Sequence, residues 1–247
     1  MLALAPVALT HTGLRRPHNE DTVFATARLA AVADGVGGAV AGEVASRAAI
    51  DLLAVLDKSW LGAPLPDALE AAIVEGNERI GFIGACRPAL AGMGTTLTAV
   101  AIEADTVVVA NIGDSRTYRL RDGELVQLTR DDSLLQELLD GGHITPEQAR
   151  VHPQRSLVLA ALDGEAGRRP AIRTLDARLG DRLLLCSDGL SDLVDDAAIA
   201  AALALGRAHD AAQALVDAAL AAGGRDNVSV VVADVVAGAT GWRPAAW

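Results

Sequence analysis

The sequence predicts an α+β fold, a four-layer αββα sandwich in which two central antiparallel β-sheets are flanked by helix pairs and carry a small flap subdomain. Three observations predict it. Short β-type runs recur and several are joined by tight turns, the pattern of antiparallel sheet. Two Ala/Leu-rich helical stretches come early and two come late, an order that suits helices on the outer faces of sheets better than a strictly alternating parallel fold. One stretch, 131–155, follows neither pattern.

In chain order, the apolar N-terminus MLALAPVAL lacks a basic n-region and a plausible cleavage site, so it reads as a first strand and not a signal peptide. β-Type runs are predicted at Pro6–His11, Thr22–Thr26, Leu29–Ala33, Thr95–Ile102, Thr106–Ile112, Thr117–Arg121, Glu124–Leu128, Arg182–Cys186 and Asn227–Val235. Asp122-Gly123 between two of these runs is a hairpin signal, because glycine tolerates the positive φ of such turns. The early helices are Glu43–Lys58 and Asp67–Ile83 and the late ones Asp196–Leu205 and Asp210–Ala222, several opened by an acidic residue that complements the helix dipole. Within 131–155, two short helices (Ser133–Asp140 and Pro146–Arg150) accompany Gly141-Gly142, two prolines and little apolar alternation, as in a surface flap. No repeat, low-complexity tract or linker is present, so residues 1–237 are expected to form one domain and 238–247 a frayed tail.

Of the 247 residues 51% are hydrophobic but only 2% aromatic, so the core must be built from Ala, Val, Leu and Ile. The 21 basic and 32 acidic residues leave a net charge of −11, which repels nucleic-acid phosphates unless a local basic stripe intervenes, and the sequence has none. Lys58 is the only lysine; the remaining cations are arginines, whose planar fork suits two-point contact with phosphate. The longest uncharged apolar run is too short to span a bilayer, and Cys86 and Cys186 lack any paired spacing. These features predict a soluble, monomeric, cytoplasmic protein without a nucleic-acid or membrane partner.

Aspartates recur beside glycine or asparagine at the ends of apolar runs: Asn19-Glu20-Asp21, Asp34-Gly35, Gly113-Asp114, Asp188-Gly189 and Arg225-Asp226-Asn227. A single Asp-Gly is usually only a turn. Five such sites, if the strands converge them, suit magnesium or manganese, which prefer oxygen ligands and retain water unless carboxylates and carbonyls replace it. Without a cation, the crowded carboxylates would raise one another's pKa values. Other phosphate chemistries fail on spacing. A dinucleotide fingerprint started at Gly35 needs glycine where Val40 stands, the only lysine follows Asp57 and not the glycine of a Walker loop, and a cysteine phosphatase needs arginine where Asp192 follows Cys186. There is no G-x-S-x-G elbow and no H-E-x-x-H helix. Cys186 therefore reads as a buried strand residue, and His11, His18, His143, His152 and His209 as structural or exposed.

The segments GLRRPHNED (13–21), DGVGG (34–38), GE-x-AS (42–46), MGTT (93–96), NIGDSR (111–116), LLLCSDGLSD (183–192) and GGRDNVSVVV (223–232) together resemble the motif series of the protein phosphatase type 2C (PPM) family, most closely its compact bacterial members. ITPEQARVHPQRS (144–156) resembles the family's flap. The resemblance implies a metal-dependent protein serine/threonine phosphatase with two Mn or Mg ions and a third-ion site. It would hydrolyse phosphoserine and phosphothreonine on proteins by direct attack of a metal-bridging water, opposed by a Ser/Thr kinase. Residue by residue, it implies that Asp34 bridges both ions, that the Gly35 carbonyl binds one of them, and that Asp188 and Asp226 complete the other ion's shell. Glu20 and Asp21 would act through metal-bound water, Asn227 would support Asp226, Asp114 would serve the third ion with Asp188, and Arg16 would receive the substrate phosphate. Arg15 reads as solvated and Arg116 as bracing its loop.

Three residues depart from the family pattern. Val36 stands where eukaryotic relatives place a histidine proposed as general acid, Asp132 where many bacterial relatives have histidine, and Ala160 where they often have arginine. The last two bear on the flap rather than on metal binding. The competing reading is a catalytically inert PPM-like sensor or scaffold, which would be expected to lose one of Asp34, Asp188 and Asp226; all three are present. A metal-dependent esterase for small phosphates would use the same site.

Overall fold

A computed structural model of the chain describes residues 1–36, 41–60, 62–150 and 152–238. The tail beyond residue 238 and the glycines of the 34–38 motif after Val36 lie outside the described residues. The strands are β1 (Leu2–His11), β2 (Thr22–Ala25), β3 (Leu29–Ala33), β4 (Gly35–Val36), β5 (Gly94–Thr95), β6 (Leu97–Glu103), β7 (Thr106–Ile112), β8 (Arg116–Arg121), β9 (Glu124–Gln127), β10 (Ala171–Asp176), β11 (Arg182–Cys186) and β12 (Val228–Ala237). The helices are α1 (Gly42–Ser59), α2 (Leu65–Cys86), α3 (Leu134–Asp140), α4 (Pro146–Arg150), α5 (Asp188–Ser191), α6 (Asp196–Leu203) and α7 (Ala208–Ala221).

Two five-stranded antiparallel sheets, in the orders β1-β12-β11-β8-β9 and β10-β7-β6-β3-β2, stack face to face, and β4 pairs separately with β5. Strand periodicity sorts the side chains into three apolar layers. From β3, Leu29, Ala31 and Ala33 pack under α1 and α2, while Ala30 and Val32 point into the space between the sheets. From β12, Val228, Val230 and Val232 meet Ala212, Leu215 and Ala219 of α7, while Val231, Ala233 and Val235 face the other sheet. The fold is thus the predicted αββα sandwich. Its small side chains suit the near absence of aromatics, with Tyr118 the largest fully buried side chain among the described residues.

Several boundaries differ for physical reasons. β1 starts at Leu2 and runs through Pro6, which is tolerated because β1 is an edge strand paired only with β12. The run predicted over Thr95–Ile102 breaks at Thr96, whose backbone N–H turns to the Asp34 carbonyl at 2.8 Å. β10 was not predicted: AIRTLD has only three apolar residues, and its outer face is exposed along the sheet edge. Helix α6 stops at Leu203, two residues early. Arg182 of β11 donates there to the carbonyls of Leu203, Leu205 and Gly206 while holding Asp234 of β12, so one buried guanidinium closes the helix end.

The registers place every candidate loop at one end of its sheet. His11 at the end of β1 pairs with Val228 at the start of β12, and Cys186 at the end of β11 pairs with Val230 of β12 and with Arg116 at the start of β8. In the other sheet, Ala33 at the end of β3 pairs with Thr22 at the start of β2, and Ile112 at the end of β7 with Leu97 at the start of β6.

Candidate metal centre

Asp34 leaves β3 into a backbone clamp. Its carbonyl accepts from the Thr96 N–H and the Thr95 hydroxyl, both at 2.8 Å, and its own N–H donates to Thr96 Oγ1 at 3.3 Å. Gly35 backs directly onto Gly42 at the start of α1, where a Cβ would lie 2.5 Å from the Gly42 carbonyl carbon, so no side chain fits. The Asp21 carboxylate accepts from the fully buried Ser187 hydroxyl at 2.9 Å, and that hydroxyl in turn accepts from the Ser229 N–H. Asp226 accepts from the Asn227 N–H on one oxygen and from Arg16 on the other, at 2.8 and 2.7 Å.

Asn227 braces Asp226 through its backbone alone. Its side chain accepts from the Glu20 N–H and donates to the carbonyls of Thr12 and His18, so it ties the 12–20 loop to the start of β12. Ser46, also fully buried, donates to the Glu20 carbonyl at 2.6 Å. Asp114 sits beside Gly113, whose N–H donates to the Asp132 carboxylate at 3.0 Å and whose carbonyl accepts the Asp132 N–H. Arg116 forks onto Asp131 at 2.6–3.0 Å and braces its loop as predicted. Arg15 is exposed, and Val36 pairs with Gly94 in the β4–β5 ladder.

Burial is the main force on this cluster, and mutual repulsion adds to it. It pushes Asp34 well above the usual carboxylate range, with further upward pressure from Asp21, Asp188, Asp114 and Asp226. Asp188 is driven the same way by burial and then by Asp114, Asp192 and Asp226. Asp114 rises to about 7 through burial, Asp131 and Asp192. Asp21 rises only to about 6, because hydrogen bonds from Ser229 and Ser187 offset part of its desolvation. One oxygen each of Asp21 and Asp188 is buried without a hydrogen-bond partner. A buried carboxylate in that condition demands a proton or a cation.

Among the described residues, no group of three or more His, Cys, Asp or Glu side chains is arranged to hold one ion directly. The electrostatics carry more weight, because ions that keep most of their water need only one or two direct carboxylates each. The acids missing from the sequence reading are Asp131 and Asp192, which act on Asp114 and Asp188; the hydroxyls missing from it are Ser187, Thr95 and Thr96. All five stand in segments the sequence singles out, Asp131 at the start of 131–155, Ser187 and Asp192 in LLLCSDGLSD, and Thr95 and Thr96 in MGTT, so the segments were visible although the contacts were not. Cys186 is fully buried with its thiol pushed up to about 12 by burial, and Cys86 is free and exposed. Among the described residues no helix is long and apolar enough to cross a membrane.

A sandwich that delivers Asp21, Asp34, Asp114, Asp188 and Asp226 to one end of two sheets defines a carboxylate-centred, divalent-cation type of protein. Residues 17–223 match the protein phosphatase 2C family, and the chain belongs to that family. It is 51% identical over 235 residues to the serine/threonine protein phosphatase PstP of Mycobacterium tuberculosis, with 95% of this chain and 46% of that protein covered. The chain therefore spans about half the length of that relative. It is 37% identical to the serine/threonine phosphatase stp of Listeria innocua, with 91% of this chain and 93% of that protein covered. A crystal structure of the catalytic domain of PstP in complex with two manganese ions superposes with a TM-score of 0.90 at 48% identity, over 96% of this chain and all of that one.

Proposed function

We propose that the chain is a Mn- or Mg-dependent protein serine/threonine phosphatase that removes phosphate from phosphoserine and phosphothreonine on proteins. The carrying observation is the pair Asp34 and Asp188, both half-buried and both pushed well above the carboxylate range by desolvation and by neighbouring acids, with one oxygen of Asp188 buried and unpartnered. Relatives of 35–51% identity are named protein phosphatases, and the inert alternative has no missing carboxylate to support it.

Asp34, the Gly35 carbonyl, Asp188 and Asp226 would hold two divalent ions, with Glu20 and Asp21 acting through water and Asp114 serving a third ion. When bound, the ions supply a hydrolytic nucleophile at neutral pH and neutralise charge on the transferring phosphoryl group. Thr95 and Thr96 hold the Asp34 backbone and Ser187 holds the Asp21 carboxylate, as supporting hydrogen bonds do around metal ligands generally. Arg16, 47% exposed and already aimed at Asp226, receives the phosphate by a charge-assisted contact. Val36 carries no proton, so water protonates the leaving oxygen. The segment 131–155 forms a flap, the substrates are phosphorylated by an opposing kinase, and the monomer works in a reducing cytoplasm, consistent with two unpaired cysteines.

Hydrolysis of an aryl phosphate and of a phosphothreonine peptide, with and without millimolar-range Mn, tests the reading. Metal-dependent turnover of both is expected, and undiminished turnover in chelator-treated, metal-free protein would remove it.

A further inference from the structure

Many arginines in this acidic chain are matched by a carboxylate. Arg116, Arg121, Arg130, Arg168, Arg182 and Arg207 each donate to Asp or Glu at 3.0 Å or less. Others have no carboxylate partner among the described residues, among them Arg47, Arg79 and Arg87 on or at the end of α1 and α2, and Arg15 and Arg225 beside the aspartate cluster. Arg15 and Arg225 are both exposed, and neither side chain has a hydrogen-bond or ion-pair partner among the described residues.

These two cations are far apart in sequence and adjacent in the fold. Arg15 lies between Leu14 and Arg16, and the Leu14 N–H donates to the Gly224 carbonyl at 2.7 Å. Arg225 lies between Gly224 and Asp226. Gly13, at φ +80°, passes so close to the Asp226 carbonyl that a Cβ would collide with it. The two loops therefore run in backbone contact, with Arg15 on one and Arg225 on the other, each next in sequence to a member of the Arg16–Asp226 ion pair. Arg16 is neutralised by Asp226, and Arg15 and Arg225 are not. Arg155 at the end of the flap segment, also exposed and without a carboxylate partner, is near enough to Asp192 to act on its charge. A chain of net charge −11 thus keeps unpaired cations beside its catalytic centre.

We propose that Arg15 and Arg225 form an anion-recognition rim that selects phosphorylated segments carrying a second negative charge next to the phosphorylated residue, either an acidic side chain or a second phosphate. The inference rests on the phosphatase reading and adds the substrate class. Such a rim acts before chemistry: it steers and holds the segment, so it lowers KM and leaves kcat largely alone. Exposed charge contacts are individually weak and are screened by salt.

The test uses the full chain with Mn and four substrates: an aryl phosphate, which has no flanking charge, and phosphothreonine peptides with neutral flanks, with acidic flanks, and with a second phosphothreonine. The parent should favour the two negatively flanked peptides by roughly three- to tenfold in kcat/KM at low salt, with most of the preference gone at 0.5 M salt. The double variant Arg15→Gln with Arg225→Gln should lose the preference through KM, and the matching double Lys variant should restore most of it. Preference for only one of the two negatively flanked peptides identifies which anion the rim reads. Equal kcat/KM for all three peptides in the parent, or a preference unchanged in the double Gln variant, overturns the rim. Failure of the parent to hydrolyse the aryl phosphate with Mn would instead bring down the phosphatase reading, and the rim with it.

Discussion

The guanidinium of Arg16 and the carboxylate of Asp226 are joined at 2.7 Å, linking the cation proposed to receive phosphate to an acid proposed to hold a metal ion. The pair is partly exposed, so it adds little to stability. Its value is positional: the arginine stands at the centre before any substrate arrives.

Arg16→Ala should chiefly raise KM, since a charge-assisted contact with phosphate is worth about 1.5–3 kcal/mol. Tm should stay close to the parent. Steady-state kinetics with an aryl phosphate check this, and unchanged KM and kcat would mean that the arginine serves only Asp226.

Asp34→Asn should nearly abolish turnover while leaving the metal-free protein at least as stable as the parent. Asparagine keeps the shape of the side chain but removes a charge that is desolvated and repelled by Asp21, Asp188, Asp114 and Asp226. Thermal melts in chelator and calorimetric Mn titration read the two halves separately. A large loss of apo stability would show that Asp34 is structural.

The same repulsion sets a pH dependence. Burial and mutual repulsion hold Asp21, Asp34, Asp114 and Asp188 above the ordinary carboxylate value in the folded state, Asp21 at about 6 and Asp114 at about 7. Between those limits the folded state holds more protons than the unfolded one, so stability must fall as pH rises. Chelator-treated protein should therefore lose Tm from about pH 4 to about pH 7, and saturating Mg or Mn should flatten the slope by binding the ionised cluster. A metal-free Tm that is level or rising across this window would contradict the coupling.

Asp132 stitches the flap segment to the Asp114 loop: it exchanges two hydrogen bonds with Gly113, and its carbonyl accepts from the Leu159 N–H at 2.7 Å. Asp132→Ala removes one of these and should destabilise the protein by about 1 kcal/mol. It should also weaken binding of the most loosely held ion. Asp132→Asn keeps an acceptor for the Gly113 N–H and should behave nearly as the parent in both melts and metal titration. Equal behaviour of Ala and Asn would show that the carboxylate does not position Gly113.

Replacing Cys86 and Cys186 together by Ala should leave metal-dependent turnover substantially intact. The buried thiol, held up at about 12, is no nucleophile, and the loss of a sulfur from the core should appear in Tm alone. A trapped phosphocysteine in the parent would overturn the mechanism.

The layers were legible because burial leaves a local record. Leu29–Ala33 and Leu183–Cys186 are uninterrupted apolar runs, and both lie in strands buried on two faces. The predicted β-hairpin at Asp122-Gly123 forms with both residues at positive φ. β10 left no such record, since an edge strand with an exposed face can be written AIRTLD. The acids could be named from the Asp-Gly positions and the motif series, because each belongs to its own loop.

What sequence alone determined, then, was the inventory: which segments are buried, and which carboxylates stand at strand ends. Tertiary structure decided the pairings. Ser187 holds Asp21 across 166 positions and Arg16 meets Asp226 across 210, while Leu14 bonds to Gly224 so that Arg15 and Arg225 become neighbours. The physical reason is that side-chain periodicity is set by the few residues around each position. Hydrogen bonds, desolvation and charge repulsion act over ångströms of space, and only the antiparallel registers of the two sheets bring those loops to one end.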